Sequence, residues 1–294
     1  MALLTIITPT YNRADCLTSC WETLRSQTSL DFQWLIVDDG STDGTEELVR
    51  ELKKNTALFS IDYIAKENGG KHTALNASHP YIRGDYVLIL DSDDTLVPNA
   101  VERVLEAWKE FKSDSRVGRI IFLKGTSVEE PVCRVEHTGV PVDTLKERRI
   151  GEVGRDCCDT FRTELFIKYL FPVFEGEKFI GEGSGFFPME LESMGVYYNE
   201  VIYLCSYRED GLTKAGRRMR ILNPRGGMYN SKTYMHPRLP LKTRIKKGIL
   251  YSCYSRFAGE GFSEMLRDNP YKLLTTVTYF PGLALAAYWK RKHL

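Results

Sequence analysis

The chain has no low-complexity tract, no internal repeat, almost no net charge and no apolar run long enough to cross a bilayer. Its longest uncharged stretch, Leu273 to Trp289, is 17 residues and contains Pro281 and Gly282, short of the roughly 20 apolar residues a span requires. Pro281-Gly282 is also expected to break a long helix lying in a membrane plane. Forty Lys and Arg oppose thirty-nine Asp and Glu, a balance that excludes a chain basic throughout and wrapped on nucleic acid. None of the seven cysteines (Cys16, Cys20, Cys133, Cys157, Cys158, Cys205 and Cys253) stands in a C-x-x-C pair, which removes the common zinc and redox patterns. Free thiols in a reducing cytosol are the expectation. The N-terminus has no basic n-region and meets Pro9 after a few apolar residues, so it reads as a first strand and not as a secretory leader. The five histidines are scattered and read as structural or surface residues.

What is present is ordinary globular material. The 294 residues are 43% apolar and 27% charged, which suits one large domain or two small ones. The neutral average conceals a split: residues 1–213 carry 23 basic and 36 acidic side chains, a net of −13, whereas residues 214–294 carry 17 and 3, a net of +14. The two parts face different partners or each other.

Leu3–Thr8, Phe32–Val37 and Tyr86–Leu90 are continuous apolar runs, the pattern of strands buried on both faces of a mostly parallel sheet. Between them Leu17, Trp21 and Leu24 share a helical face. Leu48 and Leu52 do so behind an Asp43-x-x-Glu46 start, and Val101, Val104, Leu105 and Trp108 follow Pro98. Ile61–Ala65, Val117–Leu123 and Val196–Leu204 read as further strands, with short helices expected over His72–Ser78 and Asp159–Leu170. Residues 124–158 are polar and irregular. Strands alternating with helices imply an α/β layer structure.

Each early strand stops at a polar cluster: Pro9-Thr10-Tyr11-Asn12, Asp38-Asp39-Gly40-Ser41 and Asp91-Ser92-Asp93-Asp94. In an open α/β sheet ligands bind outside the carboxyl ends of the strands, so clusters far apart in sequence should meet. Asp91 and Asp93, two apart on extended chain, project to one side and suit a hard divalent cation, Mg²⁺ or Mn²⁺, completed by water and a diphosphate. Asp94 is placed to cap the helix that follows. Asn68-Gly69-Gly70-Lys71 sits between a strand and a short helix, where paired glycines, a helix N-terminus and a lysine fit a phosphate neighbour. It lacks P-loop spacing.

Together Thr8-Pro9-Thr10-Tyr11-Asn12-Arg13, Val37-Asp38-Asp39-Gly40-Ser41-Thr42-Asp43-Gly44-Thr45, Asn68-Gly69-Gly70 through Ala74-Leu75-Asn76, and Asp91-Ser92-Asp93-Asp94 resemble the family 2 glycosyltransferases, in the family's order and spacing over about the first 125 residues. The resemblance implies a GT-A fold: a single nucleotide-binding, Rossmann-like, mostly parallel sheet flanked by helices. It implies a nucleotide-sugar donor, a UDP-sugar above others, with Asp39 near the base and Pro9 and Tyr11 lining its pocket. Asn12, Asn68, Lys71 and Ser92 belong to the same donor site, and Asp91 and Asp93 surround the diphosphate and its Mn²⁺ or Mg²⁺. Farther on, Phe171-Pro172 through Glu175-Gly176-Glu177-Lys178-Phe179-Ile180-Gly181-Glu182-Gly183 resembles the stretch where a bacterial polysaccharide-type subgroup carries its catalytic base, often as a Glu-Asp pair. Here Gly183 replaces the second acid and leaves Glu182 as the base. Tyr207-Arg208-Glu209-Asp210-Gly211-Leu212-Thr213 is similar to a recurring subgroup element that closes over the site.

The expected organisation is then a donor-binding half over 1–125, an acceptor-side and catalytic-base half over 126–213, and a basic, aromatic helical extension over 214–294. The expected reaction is metal-dependent, inverting transfer of a hexosyl or related sugar to a hydroxyl of a glycan or lipid-linked glycan, in assembly of surface or capsular polysaccharide or another glycoconjugate. The chain would be cytoplasmic, with 214–294 either docked on the anionic inner face of the plasma membrane or covering the acidic N-terminal part, its apolar run then a buried helix. Two other classes compete. A dinucleotide-binding reading of Gly181-Glu182-Gly183-Ser184-Gly185 fails because Phe186 stands where the third glycine belongs. A scaffold that kept the fold and lost the chemistry is opposed by retention of Asp39, Asp91, Asp93 and Glu182 together.

Overall fold

A computed structural model describes residues 4–135, 138–146, 157–206 and 212–293, with side chains from Gly216 onward in the last segment. The chain forms two compact units: Met1–Leu170 with Met189–Ser206, and Phe171–Pro188 with Tyr207–Leu294.

The first unit is built on strands β1 (Leu4–Thr10), β2 (Phe32–Asp38), β3 (Ser60–Ala65), β4 (Tyr86–Ile89), β5 (Thr95–Leu96), β6 (Val117–Gly125), β7 (Pro141–Val142), β8 (Cys157–Arg162) and β9 (Met194–Leu204). Among the described residues these form one sheet in the order β3-β2-β1-β4-β8-β6-β9-β5, with β7 against β9. The first four neighbours pair in parallel, and β8 enters antiparallel between β4 and β6. Every residue of β1 and β2 is buried, which is why their sequences run apolar without alternation. Polar groups caught in these strands are satisfied in place. Thr5 donates to Gln33 Oε1 at 2.9 Å, Gln33 Nε2 donates to Asp62 at 2.7 Å, and Trp34 Nε1 donates to Thr8 Oγ1 at 2.9 Å.

Helices α1 (Ala14–Arg25), α2 (Thr45–Asn55), α3 (Lys71–Ser78), α4 (Ala100–Glu110) and α5 (Thr163–Lys168) accompany the sheet. The apolar faces of α1, α2 and α4, with Leu17, Leu24, Val49, Leu52, Val101, Val104 and Trp108, join Leu4, Ile6, Trp34, Ile36 and Leu88 in one core. Two local expectations are corrected. The helix expected from Asp159 starts only at Thr163, because Thr160, Phe161 and Arg162 pair with β4. Arg162 also spends its guanidinium on the carbonyls of Val117 at 2.7 Å and Phe111 at 2.8 Å. Asp43 does not begin a capping box on α2, whose N-cap is Gly44 with no side-chain cap; its carboxylate bridges the starts of two helices, accepting from the Ala14 amide of α1 and from the Thr45 amide and hydroxyl of α2.

In the second unit, α7 (Leu212–Leu222), α8 (Pro224–Thr233), α9 (Leu241–Ala258), α10 (Phe262–Asp268) and α11 (Lys272–His293) follow α6 (Gly183–Glu192) in the chain. Met228, Met235, Tyr251, Cys253, Tyr254, Met265, Ala286 and Trp289 share its core. α9 and α11 approach closely: a methyl on Gly282 would lie 2.3 Å from Ser252 Cβ and 2.8 Å from the Ile249 carbonyl. Contrary to expectation, Pro281-Gly282 does not break α11, which runs through both residues. Pro281 is exposed, and the carbonyl it leaves unbonded, that of exposed Val277, is on the side open to water.

Candidate functional site

Three adjacent parallel strands deliver their polar loops to one edge of the sheet. Thr10 pairs with Asp38 at the ends of β1 and β2, and Ile7 with Ile89 at the end of β4. The Asp39 amide then donates to the Thr10 carbonyl and the Leu90 amide to the Ile7 carbonyl, each at 2.9 Å. The convergence expected of these clusters is therefore a consequence of register.

The first two loops are laced together. Asn12, with φ of 51°, occupies the left-handed region that asparagine tolerates better than most residues. Its amide donates to Ser41 Oγ at 2.8 Å and its Oδ1 accepts from the Thr42 amide at 2.8 Å. Asp43 accepts from the Ala14 amide at 3.0 Å and from Thr45 Oγ1 at 2.6 Å. Burial, the largest single influence, pushes its carboxyl up, but these donors together outweigh it and hold the group below the usual aspartate range. Pro9 is buried at the end of β1, and Tyr11 beyond it is half-exposed.

Asp39 organises the next loop. Its buried carboxylate accepts from Lys66 Nζ at 2.6 Å, the Gly69 amide at 2.9 Å, the Gly70 amide at 2.6 Å and Asn68 Nδ2 at 3.1 Å. Asn68 Nδ2 also reaches the Asp39 carbonyl at 2.9 Å. With Thr73 Oγ1 farther out at 3.5 Å, the lone-pair positions of the carboxylate are all engaged. Gly70 carries φ of 94°, a conformation that admits glycine at little cost, and α3 starts at once with Lys71.

Lys71 turns to the third cluster and forms an ion pair with Asp91. Burial pushes the Asp91 carboxyl up, but Lys71 and Lys124 overcome this and hold it below its ordinary range. Asp94 is not the cap of α4, whose N-cap is Asn99. It accepts from Tyr203 Oη at 2.8 Å and from the Ser206 amide at 2.7 Å, and burial together with nearby Asp91 lifts its pKa to about 6 despite those donors. Tyr203 Oη in turn accepts from the Asp91 amide at 3.0 Å. Cys20 lies beneath, its thiol 3.1 Å from the Asp94 carbonyl and 3.5 Å from those of Asp91 and Ser92; burial first, then the neighbouring acids, pushes that thiol up. Ser92 is buried and Asp93 half-buried.

Asp93 makes no hydrogen bond or ion pair among the described residues, and no group of three or more His, Cys, Asp or Glu is gathered to hold a metal by itself. Asp91 and Asp93 nonetheless fit Mg²⁺ or Mn²⁺. These ions need one or two carboxylates and take the rest of their shell from water and phosphate, and Asp91 already holds a cationic partner in Lys71.

Pro9, Tyr11, Asn12, Asp39, Asn68, Lys71, Asp91, Ser92 and Asp93 thus all belong to the first unit, Pro9 at the end of β1, Lys71 at the start of α3 and the others in loops. Glu182 belongs to the second, half-buried immediately before α6, where its carbonyl accepts from the amides of Gly185 at 2.9 Å and Phe186 at 3.2 Å. Of the closing element, Tyr207–Gly211 lie outside the described residues. Sequence reasoning missed Lys66, Tyr203 and Cys20. Lys66 stands two residues before Asn68 and could have been suspected as a cation beside Asp39, whereas Tyr203 and Cys20 carry no motif.

Residues 5–169 match the family described as Glycosyl transferase family 2, and the chain belongs to that family. Chondroitin synthase of Pasteurella multocida (strain Pm70) is 40% identical over 112 residues, 38% of this chain and 11% of that protein. Poly(ribitol-phosphate) beta-glucosyltransferase of Bacillus spizizenii is 28% identical over 153 residues, 51% of this chain and 24% of that one. The chain therefore spans no more than about a quarter of the length of these two relatives. Among solved structures, S. aureus TarS 1–349 in complex with UDP superposes with a TM-score of 0.56 at 18% identity, covering 98% of this chain and 91% of that one. The mannosyltransferase PcManGT from Pyrobaculum calidifontis, in complex with GDP-Man and Mn²⁺, gives 0.59 at 18% identity over 98% and 86%. The fold is GT-A, a mixed α/β arrangement with helices about the sheet.

Proposed function

We propose that the chain is a glycosyltransferase that moves a hexosyl or related sugar from a UDP-sugar to a hydroxyl of a glycan or lipid-linked glycan, with inversion, in assembly of a bacterial surface polysaccharide. The observation that carries this reading is the meeting of the Asp39-ordered glycine loop with the acidic Asp91–Asp94 turn through the Lys71–Asp91 contact. One side presents Lys71, which suits a diphosphate, on a glycine loop whose amides Asp39 holds in place; the other presents carboxylates, which suit its cation.

In this reading Pro9, Tyr11 and Asn12 bound the nucleoside, and Asp39 and Asn68 stand beside the base while fixing the glycine loop. Ser92 completes the donor site. Lys71 passes from Asp91 to a phosphate oxygen when the donor arrives. Asp91 and Asp93 would hold Mn²⁺ or Mg²⁺, which when bound would offset charge on the departing diphosphate. Glu182 takes the proton of the acceptor hydroxyl as it attacks the anomeric carbon, and a single displacement inverts that centre. Residues 1–125 serve the donor, 126–213 the acceptor and base, and 214–294 a peripheral position on the inner face of the plasma membrane. UDP bound to TarS and GDP-Man bound to PcManGT support a nucleotide-sugar donor.

The test is nucleoside diphosphate release from a panel of UDP- and GDP-sugars, with glycan acceptors, in Mn²⁺, in Mg²⁺ and in chelator. Release that needs both acceptor and cation, with a product of inverted anomeric configuration, is expected. Stoichiometric donor binding without turnover across acceptors would favour the scaffold.

A further inference from the structure

α11 has two faces of opposite fate. Thr275, Thr278, Gly282, Ala286 and Trp289 are buried. Leu273 is 80% exposed, Val277 66%, Phe280 76% and Tyr288 54%. At about 100° per residue these four fall within an arc of roughly 80°, joined by exposed Ala284, and the stripe runs about 22 Å along the helix. Apolar surface gathered in this way on an otherwise well-packed unit marks a place of contact.

The charges around the stripe choose the partner. Lys272 precedes it, Lys290 and Arg291 follow it, all three exposed, and no Asp or Glu occurs from Lys272 to His293. Residues 214–294 carry a net +14, so a second copy brought against this face would meet a surface of its own sign. An anionic surface meets the opposite sign. No helix among the described residues is long and apolar enough to cross a membrane, which leaves α11 to lie along one.

We infer that the outer face of α11 seats this unit in the headgroup region of an anionic bilayer, with Leu273, Val277 and Phe280 entering the acyl boundary and Lys272, Lys290 and Arg291 meeting lipid phosphates. This rests on the membrane-surface part of the proposed function and not on its transfer chemistry. Basic side chains draw the helix to the leaflet, and the exposed apolar stripe holds it at the interface.

The experiment is co-sedimentation of the full chain with vesicles of phosphatidylcholine alone and of phosphatidylcholine mixed with phosphatidylglycerol, at low and high salt. Binding is expected to the mixed vesicles, at least about tenfold above the neutral ones, and to weaken with salt. A Leu273→Gln, Val277→Gln, Phe280→Gln variant changes only exposed side chains. It is expected to lose binding while keeping its melting temperature and its nucleoside diphosphate release on a soluble acceptor. Absence of pelleting, equal pelleting with both lipids, or unaltered binding by the variant would each overturn the inference. So would a concentration-dependent dimer that the same variant dissolves. Loss of diphosphate release with vesicle binding intact would instead count against the transferase reading.

Discussion

Lys71 and Asp91 form an ion pair between the first residue of α3 and the loop after β4. It joins the glycine loop to the acidic turn, and each partner has a different counterpart in the proposed complex. Replacing Lys71 by Met is therefore expected to move two affinities in opposite directions. UDP should bind roughly ten- to a hundredfold more weakly, as for loss of one charge-assisted hydrogen bond, while Mn²⁺ without nucleotide should bind more tightly because Asp91 is released. Calorimetric titration of each ligand separately reads both, and two unchanged affinities would show that Lys71 only bridges the loops.

Asp93 contributes no hydrogen bond or ion pair to the fold among the described residues, so Asp93→Asn should leave the melting temperature near that of the parent. Turnover should drop by at least about a hundredfold, since an amide is a poor ligand for a hard cation. Full activity of this variant in chelator would remove Asp93 from the cation site.

Glu182→Gln is expected to lower the transfer rate by roughly 10² to 10⁴ with UDP affinity unchanged, because a general base acts in the transition state and not in donor binding. Weakened UDP binding would place Glu182 in the nucleotide site instead.

Asp43 offers a pH test. Its folded pKa lies below the ordinary aspartate value, so the folded state binds fewer protons than the unfolded state across that interval. The stability it supplies is complete above the ordinary value and is lost as pH falls through the lowered one. Asp43→Ala should cost about 1 kcal/mol at neutral pH, in the range of a helix cap, and progressively less as the parent is acidified. Parallel melting curves for the two proteins across the acid range would refute the assignment.

Gly282→Val should destabilise the second unit by about 1 to 3 kcal/mol, since even its Cβ would collide with Ser252 and with the Ile249 backbone. Denaturant unfolding measures this, and unaltered stability would contradict the α9–α11 packing.

The strands at the centre of the sheet are readable because burial on both faces leaves consecutive apolar residues, as in Trp34–Val37. The start of α5 was not, since Thr160-Phe161-Arg162 take the extended state from strands distant in sequence. The acidic and glycine loops were visible as motifs, but their internal division of labour was not. Asp94 looked like a cap for the nearest helix and is instead held by Tyr203, 109 residues away, a contact created by the placement of β9. The unbroken course of α11 through Pro281 likewise depends on which side of the helix meets water, and local propensity does not state that.

The side-chain-to-backbone bonds of Asn12, Asp39 and Asp43 fix the loops before any ligand arrives. Their conformational entropy is lost during folding and does not oppose donor association. A nucleotide meeting such a floor should bind with little backbone ordering, and slow exchange is expected of the bonded amides of Asn12, Ala14, Asp39, Thr42, Gly69 and Gly70 already in the free chain. What remains for the donor to organise is the arrangement of charges, the Lys71–Asp91 pair above all. Discrimination between one nucleotide sugar and another then falls to side chains that reach into an almost rigid frame.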